Sequence, residues 1–217
     1  MVSEESMASS RSIASDNPTH VVGRDGVKRP VHEQMSLQDF MELDWPEDQH
    51  WELIWGAPVL TPAPIPFHQH MGTVIAFWMM QQLESRAEFI LLPDEDVLLP
   101  SSENYLRPDI NIFRRAEVDM AKVPVRALPA LVVEILSPST GGRDWGDKKI
   151  ALAEADVPEY WIADPSTGAL AIHINPAKGN YEPQIMDADG FLTSPFFGRR
   201  LRIQFDGQTY RIESDRQ

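Results

Sequence analysis

The chain has 217 residues, 42% of them hydrophobic and 9% aromatic, with a formal charge of −14 and no cysteine. That length and apolar content can bury one good core. The missing cysteines exclude disulfides, thiolate metal sites and cysteine nucleophiles, which leaves Asp, Glu and His as ligands and favours hard cations. The acidic excess weighs against a surface built to wrap nucleic acid, which needs Lys and Arg to displace counterions. The balance is uneven, however, because residues 107–149 hold eight basic against six acidic side chains.

Residues 1–30 are Ser-rich and charged with no apolar period, and they read as a flexible tail ahead of a single domain over 31–217. There is no apolar run of about eighteen residues and no secretion-signal pattern near Met1, so a cytoplasmic protein is expected. Ser36, followed by Asp39 and then Phe40, Met41 and Leu43, predicts a short N-capped helix. Trp51 to Ile54, Trp55-Gly56 and Ala57 to Leu60 predict a hairpin in which Gly56 supplies a positive φ. After a Pro-rich loop, Met71, Val74, Ile75, Trp78, Met79 and Leu83 fall at the spacing of one helix face.

Phe89 to Leu92 and Val97 to Leu99 flank Pro93-Asp94-Glu95-Asp96 as two strands round a turn. After Pro108, Ile110 and Ile112 alternate with Asp109, Asn111 and Phe113, a period-two pattern. Ala130 to Leu136 is an apolar run broken only by Glu134, as in a central strand covered on both faces. A helix is expected from about Asp144 to Ala155, then strands at Val157 to Asp164 and Ala169 to Ile174, and short strands near Phe191 and Leu201 to Phe205. Helix, strands, helix, strand is an α/β order with a mixed sheet.

A carboxylate withdrawn from water at Glu134 costs several kcal/mol unless something positive compensates it. Asp109 lies on a separate predicted strand, and if the two strands pair, two carboxylates meet at one sheet end and can share a divalent ion. On the following helix, Lys148 shares a face with Asp144, Leu152 and Ala155, which brings its ammonium beside that end. It would orient or deprotonate water, or stabilise developing charge. Each residue also has a structural reading: Glu134 as a core ion pair, Asp109 as a strand start, and Lys148 as a surface charge that Lys149 could replace. Glu52 and His68 are possible auxiliaries at the site. His68 and His70 lack a third histidine for zinc, Asp94 to Asp96 reads as solvated acid, and Gly141-Gly142 lacks the lysine of a phosphate loop.

Together, Arg107-Pro108-Asp109, Val132 to Thr140, Asp144 with Lys148, and Val157-Pro158-Glu159-Tyr160-Trp161 with Asp164-Pro165 resemble the Uma-two family of restriction endonucleases, in the PD-(D/E)XK nuclease superfamily. The resemblance covers about residues 36 to 175. It implies a restriction-endonuclease-like fold, a mixed β-sheet flanked by helices with an N-terminal hairpin and C-terminal strands. It also implies Mg²⁺ or Mn²⁺ dependence and hydrolysis of DNA phosphodiesters, with Asp109 and Glu134 as metal ligands. The superfamily's usual lysine position, two residues after the acid, is Leu136 here, and the resemblance implies that the lysine has moved to Lys148. The family often has an aromatic residue at Leu152, glycine at Asp156 and Asp-Gly at Trp55-Gly56; Asp156 can still form a left-handed helix cap. Single-domain nucleases of this type commonly dimerise, so a homodimer is expected by analogy. The alternative is a nuclease-fold interaction or regulatory module without catalysis. A glycosidase reading of the carboxylate pair is disfavoured by the adjacent lysine and the lack of sugar-stacking aromatics.

Overall fold

The computed structural model describes residues 20–22, 28–30, 34–46, 49–61, 63–100, 102–137 and 141–216. Most of the tail expected over residues 1–30 therefore lies outside the described residues, as do Pro138 to Thr140 of the expected turn. Within 1–30, β1 (His20–Val22) and β2 (Lys28–Pro30) pair antiparallel.

Ser36 starts α1 (Leu37–Glu42) as its sequence predicts, its Oγ accepting the Asp39 N–H at 3.1 Å. β3 (His50–Ile54) and β4 (Ala57–Thr61) form the expected hairpin. Both turn residues have positive φ, 47° at Trp55 and 79° at Gly56. A two-residue turn of that kind matches the twist of its strands. The Asn104 side-chain carbonyl accepts the Trp55 N–H at 2.7 Å and holds this non-glycine residue in the left-handed region.

α2 (Pro66–Leu83) follows, burying Met71, Ile75, Trp78 and Met79. β5 (Phe89–Pro93) and β6 (Val97–Leu98) flank the acidic turn as expected but do not pair with each other. β6 pairs with β7 (Tyr105–Leu106) and joins the first hairpin in a sheet of order β4-β3-β7-β6, while β5 enters the main sheet. The acidic turn lets the chain cross between sheets because Arg107 clamps it, with Nε 3.0 Å from Asp94 Oδ1 and Nη1 3.6 Å from Asp96 Oδ1. These acids, expected to be simply solvated, are ion-paired.

The main sheet contains β8 (Ile110–Arg114), β9 (Leu131–Ile135), β10 (Glu159–Ala163), β11 (Leu170–Ala177) and β12 (Asn180–Pro183), in the order β12-β11-β10-β9-β8-β5. Only β9 and β10 run parallel, so the sheet is mixed. Their crossover carries two helices, α3 (Gly141–Trp145) and α4 (Asp147–Glu154), rather than the single helix expected from Asp144 to Ala155. Gly146, at φ −107° and ψ −103°, interrupts them. Asp156 ends α4 in the left-handed region at φ 61°, with Val157 N–H bonded to the Leu152 carbonyl, as anticipated for this position. Asp156→Gly relieves that left-handed strain and should stabilise the fold by about 0.5–1 kcal/mol. Urea denaturation reads this directly, and a loss of stability would show that the Asp156 side chain contributes more than its backbone costs.

One face of the main sheet packs on α2 and on a C-terminal sheet of β13 (Leu192–Ser194), β14 (Arg199–Phe205) and β15 (Tyr210–Arg216). β12 and β15 were not foreseen from the sequence. Glu159 ties this sheet to β10 by accepting Trp161 Nε1–H at 2.7 Å, Ser194 Oγ–H at 2.6 Å and Phe196 N–H at 2.8 Å. The other face buries Val132, Tyr160 and Ile162 against α4 and the four-stranded sheet.

Candidate active site

Because β8 and β9 run antiparallel, the start of β8 and the end of β9 share one edge of the sheet. Asp109 stands just ahead of β8, and its Oδ2 accepts the Ile135 N–H at 2.7 Å. Alternation along β9 sends Leu131, Val133 and Ile135 towards α2, and Val132 with Glu134 towards α4. Asp109 and Glu134 thus come to one strand end, as their sequence positions lead one to expect.

Lys148 joins them from α4, buried at 4% exposure. Its Nζ lies 2.7 Å from Glu134 Oε1, 2.9 Å from Glu52 Oε1 and 3.8 Å from Asp144 Oδ1. Glu52 arrives from β3 with both oxygens engaged: Oε1 also accepts the Arg107 N–H at 2.7 Å, and Oε2 accepts the Thr61 hydroxyl at 3.3 Å. Asp144 sits on α3, so the break at Gly146 separates it from Lys148 while keeping the two side chains close. Its backbone carbonyl accepts the Tyr160 hydroxyl at 3.0 Å, which fixes α3 on the sheet. Lys149 is set apart, its ammonium 5.8 Å from the Trp145 ring centroid, so the lysine of the cluster is Lys148.

Three buried carboxylates surround one ammonium. Burial pushes the Glu134 carboxyl well above its usual range; Lys148 pulls it back, while Asp144, Asp109 and Glu52 push it further up. For Lys148, burial favours the neutral amine, but Glu134, Glu52 and Asp144 outweigh it and raise its pKa. Glu134 is therefore an ion-pair partner of the same lysine that its sequence context assigned to the site.

His68, in the first turn of α2, places Nε2 3.4 Å from Asp109 Oδ1. Burial acts against its charged form, but the hydrogen bond and charge of Asp109, with the Ile135 carbonyl, raise its pKa above 6.5. His70 points elsewhere, 3.1 Å from Thr209 Oγ1. Asp109, Glu134, Lys148, Glu52 and His68 all line one cleft of about 610 Å³, with Arg107 and Arg143 also on its walls. A second stripe of α2 forms the remaining wall: Gln69, Gly72, Thr73, Ala76, Phe77 and Met80. Periodicity alone drew attention to the buried stripe and missed this one, whose signal is the i, i+3, i+4, i+7, i+8 spacing of small residues with Phe77. Gly72 lets the helix approach β9, since a Cβ there would stand 3.0 Å from Ile135 Cδ1.

A family described as "Uma2: Putative restriction endonuclease" matches residues 37–204. The chain belongs to the Uma2 family. Among solved structures it is similar to "a putative nuclease belonging to DUF820" from Anabaena variabilis ATCC 29413, with a TM-score of 0.61 and 16% identity over 75% of this chain and 90% of that one. At that identity the likeness shows the fold, which is the nuclease-like mixed α/β arrangement expected from the sequence. No curated protein matches the chain. Among the described residues, no helix is long and apolar enough to cross a membrane.

A divalent ion is the expectation carried over from the resemblance in the sequence, and the side chains present bear on it. Among the described residues, no three of His, Asp and Glu are disposed as a ready-made metal cage. Lys148 already occupies the centre of the Glu52, Glu134 and Asp144 group. What remains is Asp109 beside Glu134, which line the same cleft. Two carboxylates with water and substrate oxygens completing the shell is the manner in which Mg²⁺ is commonly held. Asp109 and Glu134 are hard oxygen donors of the kind such an ion takes, so the donor set fits.

A pH dependence follows from the raised pKa values of His68 and Glu134. Both groups favour their protonated forms, which compete with a cation for the carboxylates. The stabilising His68–Asp109 pair is fully present below about pH 6.5 and is lost as pH climbs through the raised pKa of His68. Mn²⁺ should therefore raise the melting temperature more at pH 8 than at pH 6. Melting curves at the two pH values check this, and an equal or smaller shift at pH 8 would contradict it.

Proposed function

We propose that this Uma2 protein is a divalent-metal-dependent endonuclease that hydrolyses DNA phosphodiester bonds. The carrying observation is the convergence of Asp109, Glu134 and Lys148 at the end of β9 inside an open cleft. Asp109 and Glu134 are the proposed ligands of Mg²⁺ or Mn²⁺, which when bound polarises the phosphodiester and makes bound water a better nucleophile. Lys148 remains charged, because its pKa is raised. Its part is to orient Glu134 and stabilise negative charge on the phosphate rather than to act as a base. Glu52 and Asp144 hold Lys148 in place, and His68 orients Asp109 through its Oδ1. An auxiliary ligand role for Glu52 would require it to leave both Lys148 and the Arg107 amide.

The test is cleavage of supercoiled plasmid with Mg²⁺ or Mn²⁺ and its suppression by EDTA. Loss of cleavage in Asp109→Asn is the expected control; cleavage that survives EDTA would overturn the metal assignment. A homodimer, each copy cutting one strand, belongs to the same proposal and is read by light scattering during the cleavage assay.

The second reading is a nuclease-fold interaction module. It draws on Lys148 filling the carboxylate trio. Such a module shows no divalent-ion shift in melting temperature, whereas an ion site in the folded state stabilises it by mass action.

A further inference from the structure

The cleft wall contributed by α2 is assigned no part in the metal and phosphate chemistry proposed above. Gln69, Gly72, Thr73, Ala76, Phe77 and Met80 form one helical stripe beside the carboxylates, opposite in purpose to the stripe that fills the core. Phe77 is 59% exposed and Met80 is 50% exposed, although both sit at the mouth of a concave site. The chain spends little positive charge there. Arg107 and Arg143 are the basic residues at the cleft besides Lys148, and Arg107 is paired with Asp94 and Asp96.

With a formal charge of −14 and five carboxylates lining the cleft, phosphate contacts alone give it a weak hold on a duplex. Aromatic stacking needs no net charge and tolerates any base. Resting on the nuclease reading of this cleft, we propose that the α2 stripe, led by Phe77 with Met80 beside it, stacks an unpaired nucleobase, so that the substrate is single-stranded or locally unpaired DNA. The geometry permits it. A rise of ~1.5 Å per residue sets Phe77 about 13 Å along α2 from His68. At ~3.4 Å per stacked nucleotide, the gripped base lies up to about four nucleotides from the bond at the carboxylates. The cleft is within the ~300–1,000 Å³ that takes a small-molecule-sized group.

The experiment uses the full chain in EDTA with a labelled single-stranded oligonucleotide carrying 2-aminopurine, and with the same sequence as a duplex. The expected result is at least tenfold preference for the single strand in fluorescence anisotropy, with quenching of 2-aminopurine. Phe77→Ala weakens single-strand binding about 5- to 150-fold, and Phe77→Trp restores it. Because Phe77 is mostly exposed, its truncation leaves the fold intact, which circular dichroism verifies. Equal affinity for duplex, no single-strand binding, or binding unchanged in Phe77→Ala overturns the inference. So does a dimer whose sedimentation depends on Phe77, which would make the stripe a protein interface. Stacking without cleavage in Mg²⁺ or Mn²⁺ would defeat the nuclease reading and leave this one standing. Duplex cleavage indifferent to Phe77 would do the reverse.

Discussion

Glu134→Gln is expected to abolish metal-dependent cleavage while leaving the protein at least as stable as the parent without metal. The loss follows because glutamine cannot supply the anionic oxygen that, with Asp109, would hold the ion. An ion contributing several kcal/mol of transition-state stabilisation corresponds to a fall of about 10³-fold in rate. Stability moves the other way because burial raises the Glu134 carboxyl pKa, and Asp144, Asp109 and Glu52 add to that against Lys148. Gln keeps an acceptor for Lys148, and Glu52 still holds the ammonium at 2.9 Å.

The sign of the pH dependence follows from the same shift. A group whose folded pKa is raised contributes its stability below its unfolded pKa and loses it as pH rises through the folded one. The advantage of Gln over Glu should thus be small near pH 5 and larger at pH 8. Denaturant unfolding at both pH values, beside plasmid cleavage, checks the pair of expectations. Retained cleavage would remove Glu134 from the chemistry, and a marked loss of stability would mean that its charge is needed to hold Lys148.

Lys148→Met carries the largest expected cost in stability. Glu52, Glu134 and Asp144 would remain together with side-chain exposures of 5% or less and no ammonium among them. Removing one partner of a buried ion pair costs about 3–5 kcal/mol, because the other charge stays desolvated. For a chain of this size that is a fall of roughly 6–20 °C in melting temperature. Two further results separate this cause from simple loss of packing. Lys148→Met combined with Glu134→Gln should recover part of the loss, since one uncompensated charge is gone. Mn²⁺ should also raise the melting temperature of Lys148→Met more than that of the parent, because it supplies the missing positive charge. A change under about 1 kcal/mol would show that water reaches the trio and that the lysine is not structurally committed.

The reading of Asp109 and Glu134 illustrates what a one-dimensional pattern can carry. Glu134 interrupts an apolar strand, and the cost of burying a lone carboxylate is a local argument that needs no neighbours. Asp109 could be assigned to the same strand end because a period-two pattern following Pro108 marks where β8 begins. The hairpin at Trp55-Gly56, the cap at Ser36 and the left-handed Asp156 are equally local, since a turn or cap is decided within a few residues. The strands around Asp94 to Asp96 were harder. Their pattern defined two strands, but which sheet each joins depends on the Arg107 clamp, a partner eleven or more residues away.

The α2 helix draws the same distinction. Its buried stripe was legible because apolar residues at 3.6-residue spacing must find a core. The cleft-facing stripe was not, because the same spacing of Gly72, Thr73, Ala76 and Phe77 fits an exposed face as well as a site wall until the helix is packed. Likewise, the sequence marked Glu52 as a possible auxiliary and set Asp144 on the face of Lys148, but only the packing shows both of them holding that ammonium.

The sequence by itself determined a mixed α/β domain, most of its caps and turns, and an acid inside one central strand, because these follow from short-range sterics and from the cost of burying charge. The tertiary structure alone decided that Lys148 is caged by three carboxylates from β3, β9 and α3, and that α2 presents Phe77 to the same cleft. Charge balance and concavity are sums over elements distant in the chain, and they come into being only when those elements pack together.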